Sequence, residues 1–281
     1  MKLKIALIQL NTQLGRPAAN LEKHLEYIQQ AKDQQVDLIV FPELSLTGYI
    51  LQDLAHSVAC RPTAADPIFG PLLQASKGID VVAGFVEQDL RSRNFISSAY
   101  LSEGNILHIH RKVYLPTYGL FDEGRFFASG NHIRAFDTRF GRFGILICED
   151  FWHASPPYLL WLDGADLLIF VSASPSRGLT SSPKLESSRW VEHINQAYAS
   201  LFTSFIASTN RVGYEDGINY WGGSTVHSPS GDLIAQGPYQ EEAMTICEID
   251  LSELHHIRAR LPLLRDERPE LTLKELKRIL K

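Results

Sequence analysis

Cys148 closes the apolar run Phe143-Gly-Ile-Leu-Ile-Cys148, and Glu149-Asp-Phe-Trp152 follows at once. A strand that ends in a thiol and breaks into a charged, aromatic turn presents its sulfur at a sheet edge, which makes Cys148 the candidate nucleophile. Two other segments bring complementary groups to strand exits. Phe41-Pro-Glu43 supplies a carboxylate, and Arg111-Lys112 ahead of Val-Tyr-Leu-Pro116 supplies an ammonium. Hydrolysis of an amide through a thiol needs all three. A thiol with an ordinary pKa of about 8.5 must lose its proton. A carboxylate whose pKa is raised by partial burial can take that proton and return it to the leaving nitrogen. A fixed ammonium, with the backbone N–H after the nucleophile, meets the developing oxyanion.

The elements that position these groups follow from the apolar pattern. Strand-like runs recur at residues 3–10, 36–41, 79–87, 95–101, 106–112, 143–148, 165–172, 204–208, 224–227 and 243–249. Helical spacing separates several of them: Leu21, Leu25, Ile28 and Ala31 repeat after Pro17, and Trp190, Ile194, Ala197 and Leu201 repeat over residues 188–202. Alternating strands and helices predict an α/β protein. The pair 95–101 and 106–112, joined by Glu103-Gly-Asn105, predicts an antiparallel hairpin within it. The stretch 251–281 starts in a helical pattern at Leu254, and Pro262 and Pro269 predict an extended tail beyond it, packed on the surface or on a partner subunit.

Composition narrows the partners. The 281 residues carry 27 Lys and Arg against 32 Asp and Glu, a formal net charge of −5, and no basic cluster suited to phosphates, so nucleic acid is not expected. No apolar stretch approaches roughly 18 residues, and residues 1–9 read as a strand and not as a signal peptide, so a membrane is not expected either. Cys60, Cys148 and Cys247 are an odd, widely spaced set that argues against a disulfide framework and for a cytoplasmic protein. Apolar runs over the whole length predict a single domain, 1–281.

Each group alone has a plainer reading. Cys148 alone would be a small core residue, Glu43 a strand-end carboxylate and Lys112 one of a solvated edge pair. His153 and His110 raise a thiol–imidazole dyad, but neither lies in a sequence context of that kind. His108-x-His110 would set two imidazoles on one strand face, yet no neighbouring Cys or carboxylate completes a tetrahedral metal site.

Taken together, Phe41-Pro-Glu43-Leu-Ser-Leu-Thr-Gly-Tyr49, Arg111-Lys112-Val-Tyr-Leu-Pro116 and Ile147-Cys148-Glu-Asp150 resemble, in order and context, the nitrilase superfamily of carbon–nitrogen hydrolases. The likeness continues through Gly222-Gly-Ser-Thr-Val-His-Ser-Pro-Ser-Gly231 to Arg265-Asp-Glu-Arg-Pro-Glu-Leu271. It implies a four-layer αββα sandwich, with Glu43 as general base, Lys112 as oxyanion stabiliser and Cys148 as nucleophile. It also implies that Glu123, in Phe121-Asp-Glu-Gly-Arg125, orients Lys112 or helps place the substrate, and that no cofactor is needed. A homodimer paired through helices beside the site is expected on the same ground.

The residues flanking the triad, Gly48-Tyr49, Tyr118-Gly-Leu-Phe-Asp-Glu-Gly-Arg125 and Cys148-Glu-Asp-Phe-Trp152, are most similar to the glutaminase domain of glutamine-dependent NAD synthetases. That likeness implies substrate contacts from Tyr118, Glu149 and Ser174 and a small, glutamine-like amide as substrate. A carboxylate next to the thiol favours a substrate ammonium. The alternative for Glu149 and Asp150 is a place in a helix's first turn, answering its dipole. No ATP pyrophosphatase loop of the Ser-Gly-Gly-x-Asp type is present, which predicts a free-standing amidase or a subunit that hands ammonia to a partner. A nitrilase, an N-carbamoyl hydrolase and a catalytically silent binding module are the competing functions. Loops 52–71 and 174–186 are expected to shape the pocket.

Overall fold

Side chains alternate faces along each strand, and in the central strands both faces are apolar, as expected of sheets covered on both sides. In β1 (Lys2–Gln9), Leu3, Ile5 and Leu7 point to one core while Ala6 and Ile8 point to another. The structure, a computed structural model, describes residues 1–176 and 186–281; part of the 174–186 loop therefore lies outside the described residues.

Along the first half run α1 (Pro17–Asp33), β2 (Leu38–Val40), α2 (Ala55–Val58), α3 (Phe69–Ala75), β3 (Asp80–Gln88), β4 (Asn94–Ser102), β5 (Asn105–Arg111) and α4 (Glu123–Phe126). The second half adds β6 (Phe136–Asp137), β7 (Arg142–Ile147), α5 (Ser155–Leu162), β8 (Leu167–Ser172), α6 (Glu186–Leu201), β9 (Phe205–Asn210), β10 (Val212–Glu215), β11 (Ile218–Trp221), β12 (Thr225–His227), β13 (Leu233–Gln236) and β14 (Ala243–Asp250). One sheet has the order β14-β1-β2-β3-β4-β5 and the other β13-β12-β9-β8-β7-β6, with β10 and β11 as a separate hairpin. Each sheet has a parallel centre, β1-β2-β3 or β7-β8-β9, and antiparallel flanks.

The two sheets meet face to face through one shared core, in which Ile5, Leu7, Val40 and Val82 pack with Ile145, Ile147, Ile169 and Val171. Ile8, Ile39 and Phe85 form a second core with Leu21 and Ile28 of α1 and Leu72 of α3. Leu146, Leu168 and Phe170 form a third with Leu160 of α5 and Val191 of α6. These layers are the expected αββα sandwich. The expected hairpin is β4–β5, turned at Glu103-Gly104.

The tail departs from expectation. Beyond Asp250 lie three helices, α7 (Glu253–Arg260), α8 (Leu263–Asp266) and α9 (Pro269–Ile279), in place of one helix and an extended tail. Pro269 stands in the first turn of α9, where its missing N–H breaks no helical bond, so it starts a helix instead of ending one. Among the described residues, no helix is long and apolar enough to cross a membrane.

The geometry gathers strand exits on one rim. β2, β5, β7 and β8 deliver Glu43, Lys112, Cys148 and Ala173-Ser174 just past their C-terminal ends, where α/β sheets offer ligand crevices. Gly84 in β3 makes room for the first of these. A Cβ there would sit 2.5 Å from the Pro42 oxygen and the Leu44 nitrogen, displacing the segment that carries Glu43.

Candidate active site

Lys112 follows β5 and is held at both backbone ends. Its N–H donates to the Ile96 carbonyl at 2.8 Å, and its carbonyl accepts from Gly130 at 2.8 Å. The side chain is fully buried, and Nζ donates to Glu43 Oε1 at 2.8 Å and to Glu123 Oε1 at 2.6 Å. Glu43 Oε2 accepts the Ala173 N–H at 2.8 Å, so β8 of the opposite sheet fixes the carboxylate carried by β2. The predicted base, cation and second glutamate thus form one buried cluster that bridges the two sheets.

Cys148 is 5 % exposed and has φ +46°, a left-handed backbone that few side chains adopt without support. The turn Cys148–Phe151 is a single 3-10 turn that breaks β7 sharply. Burial and the Glu43 carboxylate push the thiol well above its ordinary value, while the Lys112 ammonium pulls it back. The resting thiol therefore keeps its proton and needs a base. Burial pulls the ammonium of Lys112 down, but the Glu123 and Glu43 carboxylates hold it well above its usual range. Burial raises Glu123 to about 7 against the opposing pull of Lys112, and its Oε2 is buried with no hydrogen-bond partner among the described residues.

Cys148 lines a cavity of about 250 Å³ together with Tyr118, Phe121, Glu149, Trp152, Ser174 and Trp190. All three predicted substrate-contact residues therefore share the nucleophile's cavity. The Tyr118 hydroxyl donates to Glu149 Oε2 at 3.0 Å, and the His153 ring nitrogen lies 3.7 Å from Glu149 Oε1. Glu43 and Lys112 stand behind this cavity instead of lining it. Glu123 faces a neighbouring cavity of about 390 Å³, which shares Phe121 with the first.

Glu149 and Asp150 stand in the first turn of that 3-10 helix, as the alternative reading has it, but Asp150 does more than answer a dipole. Its carboxylate is fully buried and accepts four hydrogen bonds: from the Val113 and Tyr114 N–H groups at 2.9 Å each, from His110 Nε2 at 2.8 Å and from the Ile147 N–H at 3.1 Å. It clamps the residue before Cys148 to the residue after Lys112. Tyr49 also escaped the sequence reading as a site residue; its hydroxyl donates to Glu123 Oε1. The dyad histidines are engaged elsewhere, His110 with Asp150 and His153 stacked on Tyr114 at 3.7 Å. His108 stacks on Phe136 at 4.4 Å. Cys60 is buried and Cys247 half-buried, and burial raises both thiols.

The chain matches the carbon-nitrogen hydrolase family over residues 4–259, and it belongs to that family of enzymes. It is 32% identical over 259 residues to a glutamine-dependent NAD(+) synthetase of Thermotoga maritima, covering 90% of this chain and 43% of that protein. It therefore spans somewhat under half the length of this relative. A probable nitrilase of Schizosaccharomyces pombe is 27% identical, with 92% of each chain covered. Among solved structures, the glutamine-dependent NAD+ synthetase of Acinetobacter baumannii superimposes with a TM-score of 0.80 at 30% identity, over 90% of this chain and 47% of that one. A carbon-nitrogen hydrolase of Helicobacter pylori, 23% identical, shares the fold over 99% of both chains with a TM-score of 0.83.

Proposed function

We propose that this carbon–nitrogen hydrolase is a cysteine-dependent amidase that works through a thioester at Cys148. The observation that carries this reading is the buried Glu43–Lys112–Glu123 cluster, whose charges act on a protonated thiol at the wall of a cavity. Glu43 takes the Sγ proton as sulfur attacks the amide carbon. The oxyanion meets the Lys112 ammonium and the Glu149 N–H, and collapse releases the amine, which carries away the proton from Glu43 as ammonia. Water then gives a proton to Glu43 while its oxygen attacks the thioester. Collapse frees the carboxylic acid, and the thiol recovers its proton from Glu43.

The substrate proposed is a small amide with an amino group, glutamine-like in shape. Glu149 supports this, since its carboxylate faces the cavity with Tyr118 and accepts from an ammonium there better than it tolerates a second carboxylate. The curated relatives that bear the name glutamine-dependent NAD(+) synthetase point the same way. The test is ammonia release from L-glutamine, ω-amides of dicarboxylic acids, short aliphatic amides, N-carbamoyl compounds and nitriles, with Cys148→Ala as blank. Preference for glutamine is expected. Preference for anionic ω-amides contradicts the role of Glu149, and turnover confined to nitriles or N-carbamoyl compounds contradicts the amidase reading. Absence of turnover on every member leaves a silent binding module.

A further inference from the structure

The geometry points to Tyr49 as a positioning residue for the Lys112 ammonium, held in place by a buried ion pair between Arg211 and Glu215. This rests on the cysteine-amidase reading and adds residues to it that act through Glu123.

Glu123 Oε1 accepts from two donors, Lys112 Nζ at 2.6 Å and the Tyr49 hydroxyl, while Oε2 has no partner among the described residues. The terminal torsion of a glutamate is broad and roughly two-fold, so an ion pair alone does not fix which oxygen faces the ammonium. A second donor on the same oxygen does fix it. Nζ is then held along one line between Glu43 and Glu123, where the oxyanion needs it.

Tyr49 is itself set from the far side. Its N–H and that of Ile50 donate to Glu215 Oε1 at 2.8 and 2.6 Å, and Glu215 Oε2 accepts from Arg211 Nη1 at 2.7 Å. Arg211 is fully buried and lies 4.2 Å over the Tyr220 ring, which meets Tyr49 edge-on at 6.3 Å. Gly48 permits the approach: it has φ +81°, and a Cβ would stand 2.7 Å from Glu215 Oε2. A buried ion pair is a weak source of net stability. This one serves instead to hold two backbone N–H groups, and through them the phenol that pins Glu123.

The titratable and charged groups around Glu123 are Lys112, Glu43, Tyr49 and Cys148, with Asp53, Asp122 and Arg125 lining the cavity beside it. Donation from Tyr49 favours the ionised form of Glu123, so its loss shifts that titration upward from about 7.

The test is the rate of Cys148 alkylation by iodoacetamide from pH 5 to 9, read by intact mass, with Cys148→Ala separating reaction at Cys60 and Cys247. The expected wild-type rate depends on Glu43, collapsing in Glu43→Gln, and falls on acidification near neutrality. Tyr49→Phe should move that midpoint upward by about one pH unit, the size of one lost hydrogen bond to a charged group. Glu215→Gln should move it the same way by less. An unmoved midpoint in Tyr49→Phe, or a drop that is uniform at every pH, overturns the positioning role while leaving the triad standing. Alkylation indifferent to Glu43→Gln overturns the amidase reading and this inference with it.

Discussion

Asp150 Oδ2 accepts from His110 Nε2 at 2.8 Å in a site closed to solvent, the imidazole being 2 % exposed and the carboxylate 0 %. The other bonds of that carboxylate reach Ile147, Val113 and Tyr114, so one side chain sets the spacing between nucleophile and cation. Asparagine offers one acceptor oxygen and an unwanted N–H₂ in its place. Asp150→Asn should lower kcat by about 10²-fold, the scale of a displacement of about 1 Å at a reacting centre, with little change in KM. Steady-state kinetics on whichever amide is turned over checks this; an unchanged kcat contradicts it.

Lys112→Ala should cost about 10² or more in kcat, as loss of a single oxyanion donor does elsewhere. It also strands Glu43 and Glu123, both buried, without their shared cation. Unfolding stability should fall by roughly 3–5 kcal/mol. Adding Glu123→Gln to that variant should restore part of the stability and none of the activity, measured by urea unfolding and turnover side by side.

Acid should loosen the fold. Burial lowers His24 and His108 to about 4 each, and both stack on phenylalanines, His24 on Phe41 at 4.0 Å. An unfolded imidazole titrates at about 6.5, so the unfolded state binds the extra protons and stability is lost as pH falls from there toward 4. Between pH 6.5 and 5 each imidazole costs about 2 kcal/mol. Glu123, raised to about 7, works in the opposite sense, because the folded state takes up its proton first. His132 and His227 are lowered too and Asp80 is raised like Glu123, so four imidazoles stand against two carboxylates and stability falls on balance. The urea midpoint should therefore be lower at pH 5 than at pH 7; equal midpoints contradict the balance.

Much of this site was legible because its chemistry sits at strand exits. Val40, Arg111 and Ile147 end strands that short runs rich in apolar residues identify, and Glu43, Lys112 and Cys148 follow within three residues. Asp150 was not legible, since three of its four partners are backbone N–H groups that no side-chain pattern marks. Arg211 and Glu215 were not singled out, because a pair of charges four residues apart carries no sign of burial; they pair in the core beside the short β10–β11 hairpin. Helix α5 was not among the predicted elements; its Pro156-Pro157 fall in the first turn, where a missing N–H breaks no helical bond.

Glu149→Gln removes the carboxylate from the cavity while keeping an acceptor for Tyr118. Discrimination for L-glutamine over butyramide, taken as the ratio of kcat/KM values, should fall by about tenfold or more. A preserved ratio would return Glu149 to a structural role.

Thioester catalysis at Cys148 is tested most directly by the intact mass of the protein quenched in acid during turnover of a reactive amide or ester. An adduct of the acyl mass is expected on wild-type protein, mapped to Cys148, with neither adduct nor turnover in Cys148→Ala. Undiminished turnover in that variant, with its fold intact, would contradict it.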